Sequence, residues 1–298
     1  MGRHLQSSTI NHYIITRFNI KLHDQMVNNE LEKINVATDE EYLKYRFSIF
    51  EKYTIPSIES QTNKNFTWIV LFSEDTPESY KERIRDIKEK LKNFCPIMVD
   101  SSEVINSKLA RKFKFERTGI LVTSRLDNDD ALSVDYVEAI QNNILNNGKT
   151  ELLIFPDGIQ YDMNRRIMTR YNFKNNHFST LVCDEPDKFR TILGYNHMDI
   201  VNYFEVRFLF REEPMWLEIV HGGNIINRMF LSFSRLIFDF SILKKFGYQE
   251  HTVARSRVVT YMITLFNRPM NAYHIVVKYG LRKTMKKISK RLSRKGTI

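Results

Sequence analysis

With 298 residues, 42% of them hydrophobic and 12% aromatic, the chain carries enough apolar side chain for one large domain or two small ones, which excludes a disordered protein. Two cysteines, Cys95 and Cys183, are too few for a disulfide framework and lack metal-ligand spacing, so they read as small buried residues of a reducing compartment. The net charge of +10 points to a nucleic-acid partner only until its position is noted: eight cations and no acid fall in the 18 residues Leu281 to Ile298, and the remaining body is near neutral.

The start, Met1 to Gln6, lacks the apolar run of about 7–15 residues that a signal peptide needs, and Ser7 misses the myristoylation position after Gly2 by one, so no export is expected. His12 to Phe18 is an aromatic and β-branched run that predicts a buried strand, with Thr16 and Arg17 facing whatever binds at its end. Thr38 with Glu41 has the form of a capping box. Tyr42, Tyr45, Ile49 and Tyr53 then recur at helical spacing as far as Pro56. Phe66 to Phe72 is the near-continuous apolar run of a strand buried on both faces of a parallel sheet. A helix over about 77–93, a strand over Pro96 to Val99, a helix over about 103–114 and a strand over Gly119 to Ser124 follow. After the tetrad Asp127-Asn128-Asp129-Asp130 come a helix from Ser133 to about Asn147, a fifth strand over Glu151 to Phe155, and a hairpin of 159–161 with 167–171. Helices are expected after about 224. The apolar stretch Met229 to Phe246 is interrupted by Arg235 and Asp239, so it reads as a core or interfacial helix and not as a membrane span of ~20 apolar residues. The alternation predicts an open α/β fold, a mostly parallel Rossmann-type sheet flanked by helices, with ligands at the carboxyl ends of its strands.

Three carboxylates within four residues repel one another unless a cation or proton intervenes. In an extended segment Asp127 and Asp129 point to the same side, and oxygen-only ligation favours Mn²⁺ or Mg²⁺ over zinc. The competing reading is that Asp129 or Asp130 caps the helix near Ser133. A guanidinium binds phosphate oxygens in a bidentate way, so Arg125 and Arg17 are either anion ligands beside this site or members of surface ion pairs.

The run Thr123-Ser124-Arg125-Leu126-Asp127-Asn128-Asp129-Asp130-Ala131-Leu132 resembles the Asp-x-Asp segment of a bacterial rhamnosyltransferase family within the GT-A glycosyltransferases. Ile14 to Asn19, Tyr53 to Ile58 with Gln61-Thr62, Trp68 to Phe72, Asn176 to Thr180 and Trp216 to Asn224 resemble it too, so the likeness spans about 10–230. The resemblance implies a GT-A-like domain over 1–230, with a nucleotide-diphosphate-sugar donor held by about 10–155 and an acceptor by about 156–230. The remainder, 231–298, would be a helical extension with a basic tail. Thr16, Arg17, Arg125, Asp127 and Asp129 would meet the donor, and a divalent Mn²⁺ or Mg²⁺ would sit on Asp127 and Asp129. His221 fits the late histidine with which GT-A enzymes commonly complete the metal shell, the other reading being a structural histidine. An inverting enzyme needs a carboxylate base, for which Asp199 comes first and Glu218 second; a retaining enzyme does not, and stereochemistry stays open. His177, Ser179 and Thr180 are candidates to hydrogen-bond an acceptor sugar. Trp216 is a candidate to stack on one, against a plain loop and a core tryptophan.

Met285, Ile288 and Leu292 recur at helical spacing among the tail's cations, so Leu281 to Ile298 is expected to hold an anionic membrane surface at ~1 kcal/mol per Lys or Arg. That suits a peripheral enzyme on the cytoplasmic face of the inner membrane, acting on a glycan or lipid-linked acceptor of a cell-surface polysaccharide. No nucleic-acid partner is expected. The rival classes are a metal-dependent nucleotidyltransferase or phosphodiesterase, and a non-catalytic basic protein that binds nucleic acid or membrane.

Overall fold

The computed structural model describes residues 9–20, 35–100, 119–145, 148–185, 188–196, 199–221, 229, 231, 235–248 and 254–266. The expected helix at about 103–114, the glycine pair after His221 and the basic tail lie outside the described residues. The chain divides into two units. The first takes Met1–Gln160, Tyr171–Ile219 and Ser241–His251, and the second Tyr161–Arg170, Val220–Phe240 and Thr252–Ile298.

The first unit is built on a seven-stranded sheet. In chain order its strands are β1 (Ile10–Arg17), β2 (Thr67–Ser73), β3 (Phe94–Val99), β4 (Ile120–Arg125), β6 (Thr150–Ile154), β9 (Thr180–Cys183) and β10 (Glu205–Phe208). In space they run β10-β6-β9-β4-β1-β2-β3. β1 pairs in parallel with β2 and β4 and β2 with β3, as the alternation predicted, and β10, for which no strand was expected, pairs in parallel with β6. The exception is β9, which lies antiparallel between β4 and β6. Its four residues are too short to show a period.

The apolar run of β2 is explained by the two faces of the sheet. Trp68, Val70 and Phe72 point into one core and Ile69 and Leu71 into the other, while on β1 Ile14 and Ile15 split the same way. Phe18, Phe47, Phe50 and Phe72 fill the first core with ring centroids 4.5–6.5 Å apart, the edge and offset distances that aromatic pairs favour.

Helix α1 (Glu40–Ile49) starts one residue later than the capping box predicts. Asp39, not Thr38, accepts the Tyr42 N–H at 2.7 Å. The chain also passes Pro56 without ending the helical path. A π-turn over Phe50–Thr54 leads into α2 (Ile55–Glu59), the Ile55 N–H bonding five residues back to Phe50 O, so the wider turn absorbs the donor that proline lacks. Helix α3 spans Glu78–Lys90. The helix expected from Ser133 to about Asn147 is confined to α4 (Tyr136–Gln141): Ala131–Leu132 form a short strand, β5, paired antiparallel with β11 (Trp216–Val220), and the next two N–H groups, of Ser133 and Val134, bond Met215 O and Lys245 O.

β7 (Asp157–Asp162) and β8 (Ile167–Asn172) are the arms of the expected hairpin, whose turn holds Arg166 at φ 54°. In the second unit β12 (Leu236–Ile237) pairs with Met168 and Thr169 of β8. The expected helix over Met229 to Phe246 is thereby corrected: its described part is this short strand and a 3-10 turn, Phe240–Phe246. A further helix, α5, covers 257–266. Among the described residues no helix is long and apolar enough to cross a membrane.

Candidate active site at the end of the fourth strand

The tetrad Asp127-Asn128-Asp129-Asp130, with its three carboxylates, leaves the carboxyl end of β4 in the middle of the sheet. Leu126 N–H still bonds Ile15 O, and the chain then turns, Asp130 N–H reaching back to Asp127 O at 3.3 Å. Asn128 pins the turn by donating Nδ2–H to Phe18 O at 2.7 Å. This turn decides which carboxylates meet. An extended chain would pair residues i and i+2, but a turn brings i and i+3 to one side.

Asp127, Asp130 and His177 each offer a ligand atom, all within 4.8 Å of one another. Asp129 turns away to Arg46 of α1, Nη1 to Oδ2 3.0 Å. Asp129 and His221 are therefore not in the group; His221 is buried and belongs to the second unit. Among the described residues this is the one His/Cys/Asp/Glu group of three so placed.

His177 is carried between β8 and β9. Asn176 holds that segment by donating to Phe155 O and Phe173 O while accepting from Phe178 N–H. The imidazole lies over Phe178, ring centroids 4.1 Å apart, and its Nε2 reaches Asp130 Oδ2 at 2.8 Å and Asp127 Oδ2 at 4.0 Å. The other oxygen of Asp130 accepts Ile219 N–H from β11 at 2.9 Å. Arg125 grips Asp127 with two bonds, Nε to Oδ1 3.0 Å and Nη2 to Oδ2 3.2 Å. Glu218, next to Ile219, is buried and accepts from Gln160 Nε2 at 2.7 Å.

The protonation pattern follows from these contacts. Burial would raise the Asp127 carboxyl, but Arg125, His177 and Arg17 hold it well below the usual carboxylate range. Asp130 moves the other way, raised by burial and then by the charge of Asp129. His177 is desolvated, which lowers it, yet its hydrogen bond to Asp130 and the charges of Asp127, Asp130 and Glu218 raise it from 6.5 to about 9. Nε2 faces two carboxylates, at 2.8 and 4.0 Å, and these favour the charged form of the imidazole. Glu218 is raised by burial, against the charge of His177. Two carboxylates and one imidazole that already share a positive charge fit a divalent cation such as Mn²⁺, whose binding would require His177 to release its proton.

The remaining candidates divide between site and scaffold. Arg17, at the end of β1, is one of the charges that lower Asp127. Thr16 is fully buried and accepts the Trp68 indole N–H at 3.0 Å, so it serves the core and not a donor. Thr180 is also fully buried, in a chain that runs from His12 through Ser124 and Thr180 to the Tyr136 hydroxyl. Burial keeps His12 neutral there, its pKa lowered to about 3. Ser179 lies beside the site; its carbonyl accepts Arg125 N–H, and its buried Oγ has no hydrogen-bond partner among the described residues.

Trp216 cannot stack on a sugar. It is 1% exposed, its indole N–H bonds Phe155 O at 2.9 Å, and Phe178 stacks on it at 4.8 Å. Asp199 is exposed at the head of a 3-10 turn whose Ile200 packs in the core on the face of the sheet opposite Trp68 and Phe72, so it is not brought to the group. Asp130, which the extended reading set aside in favour of Asp129, and Arg46 are site residues that sequence reasoning missed; Arg46 left a signal. Its signal was its position, three residues after Leu43 and four before Phe50, on the edge of the buried face of α1.

Residues 11–232 match the family described as "Putative rhamnosyl transferase". No curated protein matches the chain. Among solved structures it is similar to Staphylococcus aureus TarS 1-349, at 9% identity with a TM-score of 0.41, over 70% of this chain and 60% of that one. It is also similar to the inositol-1-phosphate CTP transferase from T. maritima, at 9% identity with a TM-score of 0.35, over 83% of this chain and 100% of the other. The chain thus spans less than two thirds of the TarS structure. Since the family match covers most of the 298 residues, from β1 through the carboxylate turn to β11, the chain belongs to this rhamnosyl transferase family.

Proposed function

We propose that the protein transfers a sugar, rhamnose by the family's description, from a nucleoside-diphosphate donor to a glycan or lipid-linked acceptor with the help of a divalent metal. The observation that carries this reading is the convergence of Asp127, Asp130 and His177 at the carboxyl end of β4, with Arg125 gripping Asp127 and Arg17 within electrostatic range. Cleavage between the anomeric carbon and the diphosphate leaves negative charge on the phosphate oxygens; Asp127, Asp130 and His177 would hold the cation, which when bound would supply the Lewis acid for that charge. Arg125 exchanges part of its bond to Asp127 for a phosphate oxygen, and Arg17 supplies a second positive charge. Glu218 takes the acceptor's hydroxyl proton in an inverting reaction, since burial raises its carboxyl towards the range useful for a base. His177 acts on the metal side in this reading, while Ser179 Oγ, buried and without a bond of its own, is the better hydroxyl for a sugar. The tail Leu281 to Ile298 holds the enzyme on an anionic membrane, which suits work on envelope polysaccharide at the cytoplasmic face.

The test is thermal stabilisation by a panel of nucleoside diphosphates and nucleotide sugars, with and without Mn²⁺. A metal-dependent shift for one nucleotide, lost in Asp127→Ala, names the donor's base. No shift with any nucleotide in a folded sample sinks the proposal. Release of pyrophosphate in place of nucleoside diphosphate during turnover would favour a nucleotidyltransferase.

A further inference from the structure

Helix α5 is inside out for a surface helix. Its two most buried residues are hydroxylated, Thr260 and Thr264, one turn apart, with Thr264 Oγ1 bonded back to Thr260 O at 2.8 Å. Its outer face carries Val258, Val259, Tyr261, Met262, Leu265 and Phe266, all exposed, Val258 and Phe266 at 70%. Water contact with six large apolar side chains on ten residues is costly, and a soluble helix is ordinarily patterned the other way. The helix is nevertheless anchored in its unit. Ile263 packs on the Ile167, Met229 and Leu231 cluster, Arg255 Nε donates to Arg165 O at 2.6 Å, and the Arg257 guanidinium lies over the Phe238 ring.

The surroundings say what kind of partner covers that face. The segments that make up the second unit contain seventeen Lys and Arg and two Asp, a net of +15 within a chain of +10, which leaves −5 for the first unit. All of the chain's basic excess therefore falls in the segments of the unit that holds the exposed apolar helix, and residues 233–298 lie beyond the family match. Nucleic acid would meet the charge but leave the Val, Met and Leu face wet, whereas an anionic bilayer surface answers both.

We propose that α5 is an interfacial anchor, lying with Val258, Met262, Leu265 and Phe266 in the headgroup and upper acyl region of an anionic membrane while the cations around it meet lipid phosphates. This rests on the membrane reading above and deepens it, because it assigns an apolar insertion element in addition to the charged tail.

The test is co-sedimentation of the full chain with phosphatidylcholine vesicles, with and without about 30% phosphatidylglycerol. It compares the parent, Val258→Ser/Phe266→Ser, and a chain lacking 281–298. The expected result is binding to anionic vesicles that falls roughly tenfold or more in the double variant, with its melting temperature unchanged because both side chains are already exposed. Parent-like binding by the double variant overturns the anchor while leaving the tail reading intact. No binding by the parent to either vesicle overturns the membrane reading as a whole. A double variant that melts several degrees lower, or that changes oligomeric state, shows the face to be covered by protein and also overturns the anchor.

Discussion

Asp130→Asn against Asp129→Asn separates two ways of building the metal site. Asn at 130 keeps the shape and can still accept Ile219 N–H, so the fold should hold, but it removes one of the two charges among three ligands lying within 4.8 Å of one another. At an effective dielectric of about 20, two unit charges 4 Å apart are worth ~4 kcal/mol, and a divalent ion doubles that. Hydration of the ion and relief of the buried carboxylate offset most of it, leaving roughly 2–3 kcal/mol, or about 30- to 150-fold in affinity. Asp129 is engaged with Arg46 and outside the group, so its Asn variant should cost less than about threefold. Mn²⁺ affinity measured by the free-ion paramagnetic resonance signal, with folding verified by circular dichroism, gives the comparison. If Asp129→Asn costs as much as expected of Asp130→Asn while Asp130→Asn binds normally, the turn geometry is wrong about the ligands and the extended i, i+2 pairing is right.

Trp216→Ala should destabilise the fold by about 3–5 kcal/mol, read by denaturant unfolding, because a buried indole stacked on Phe178 and bonded to Phe155 O is lost; a stable variant with only a raised KM would make it a sugar platform after all. Gly158→Ala should lower the melting temperature markedly, since a Cβ there would lie 2.1 Å from Trp216 Cδ2, and the double variant Gly158→Ala/Trp216→Leu should recover part of the loss. His177, raised from 6.5 to about 9, contributes stability that is fully present below pH 6.5 and is lost as pH rises through about 9, of order 2–3 kcal/mol. In a metal-free melting series from pH 6 to 10, Asp130→Asn should bring that decline to lower pH, and an unmoved profile would refute the pairing.

The α/β fold and the place of the site were legible because they depend on local pattern. The run Thr67–Ser73 had to lie in the middle of a sheet, since its apolar residues leave no face for water. Arg125 to Asp130 had to follow a strand, at the end where such sheets bind ligands. β9 was hidden by its shortness, and the late start of α4 by long-range backbone bonds from Ser133 and Val134 to Met215 and Lys245.

What the residues determined by themselves was which chemistry is available: three clustered carboxylates, flanking arginines and late histidines in a chain of the rhamnosyl transferase family. What only the tertiary structure decided was which of those groups meet. Asp130 replaces Asp129 because the chain turns after β4, and Arg46, 83 residues away, takes Asp129. His177 comes to the carboxylates because Asn176 ties its segment to Phe155 and Phe173, while Trp216 is drawn into the core by Phe178 and the Phe155 carbonyl. Contacts of this kind join residues that are tens of positions apart, and they follow from the register of neighbouring strands, which no local period in the sequence encodes.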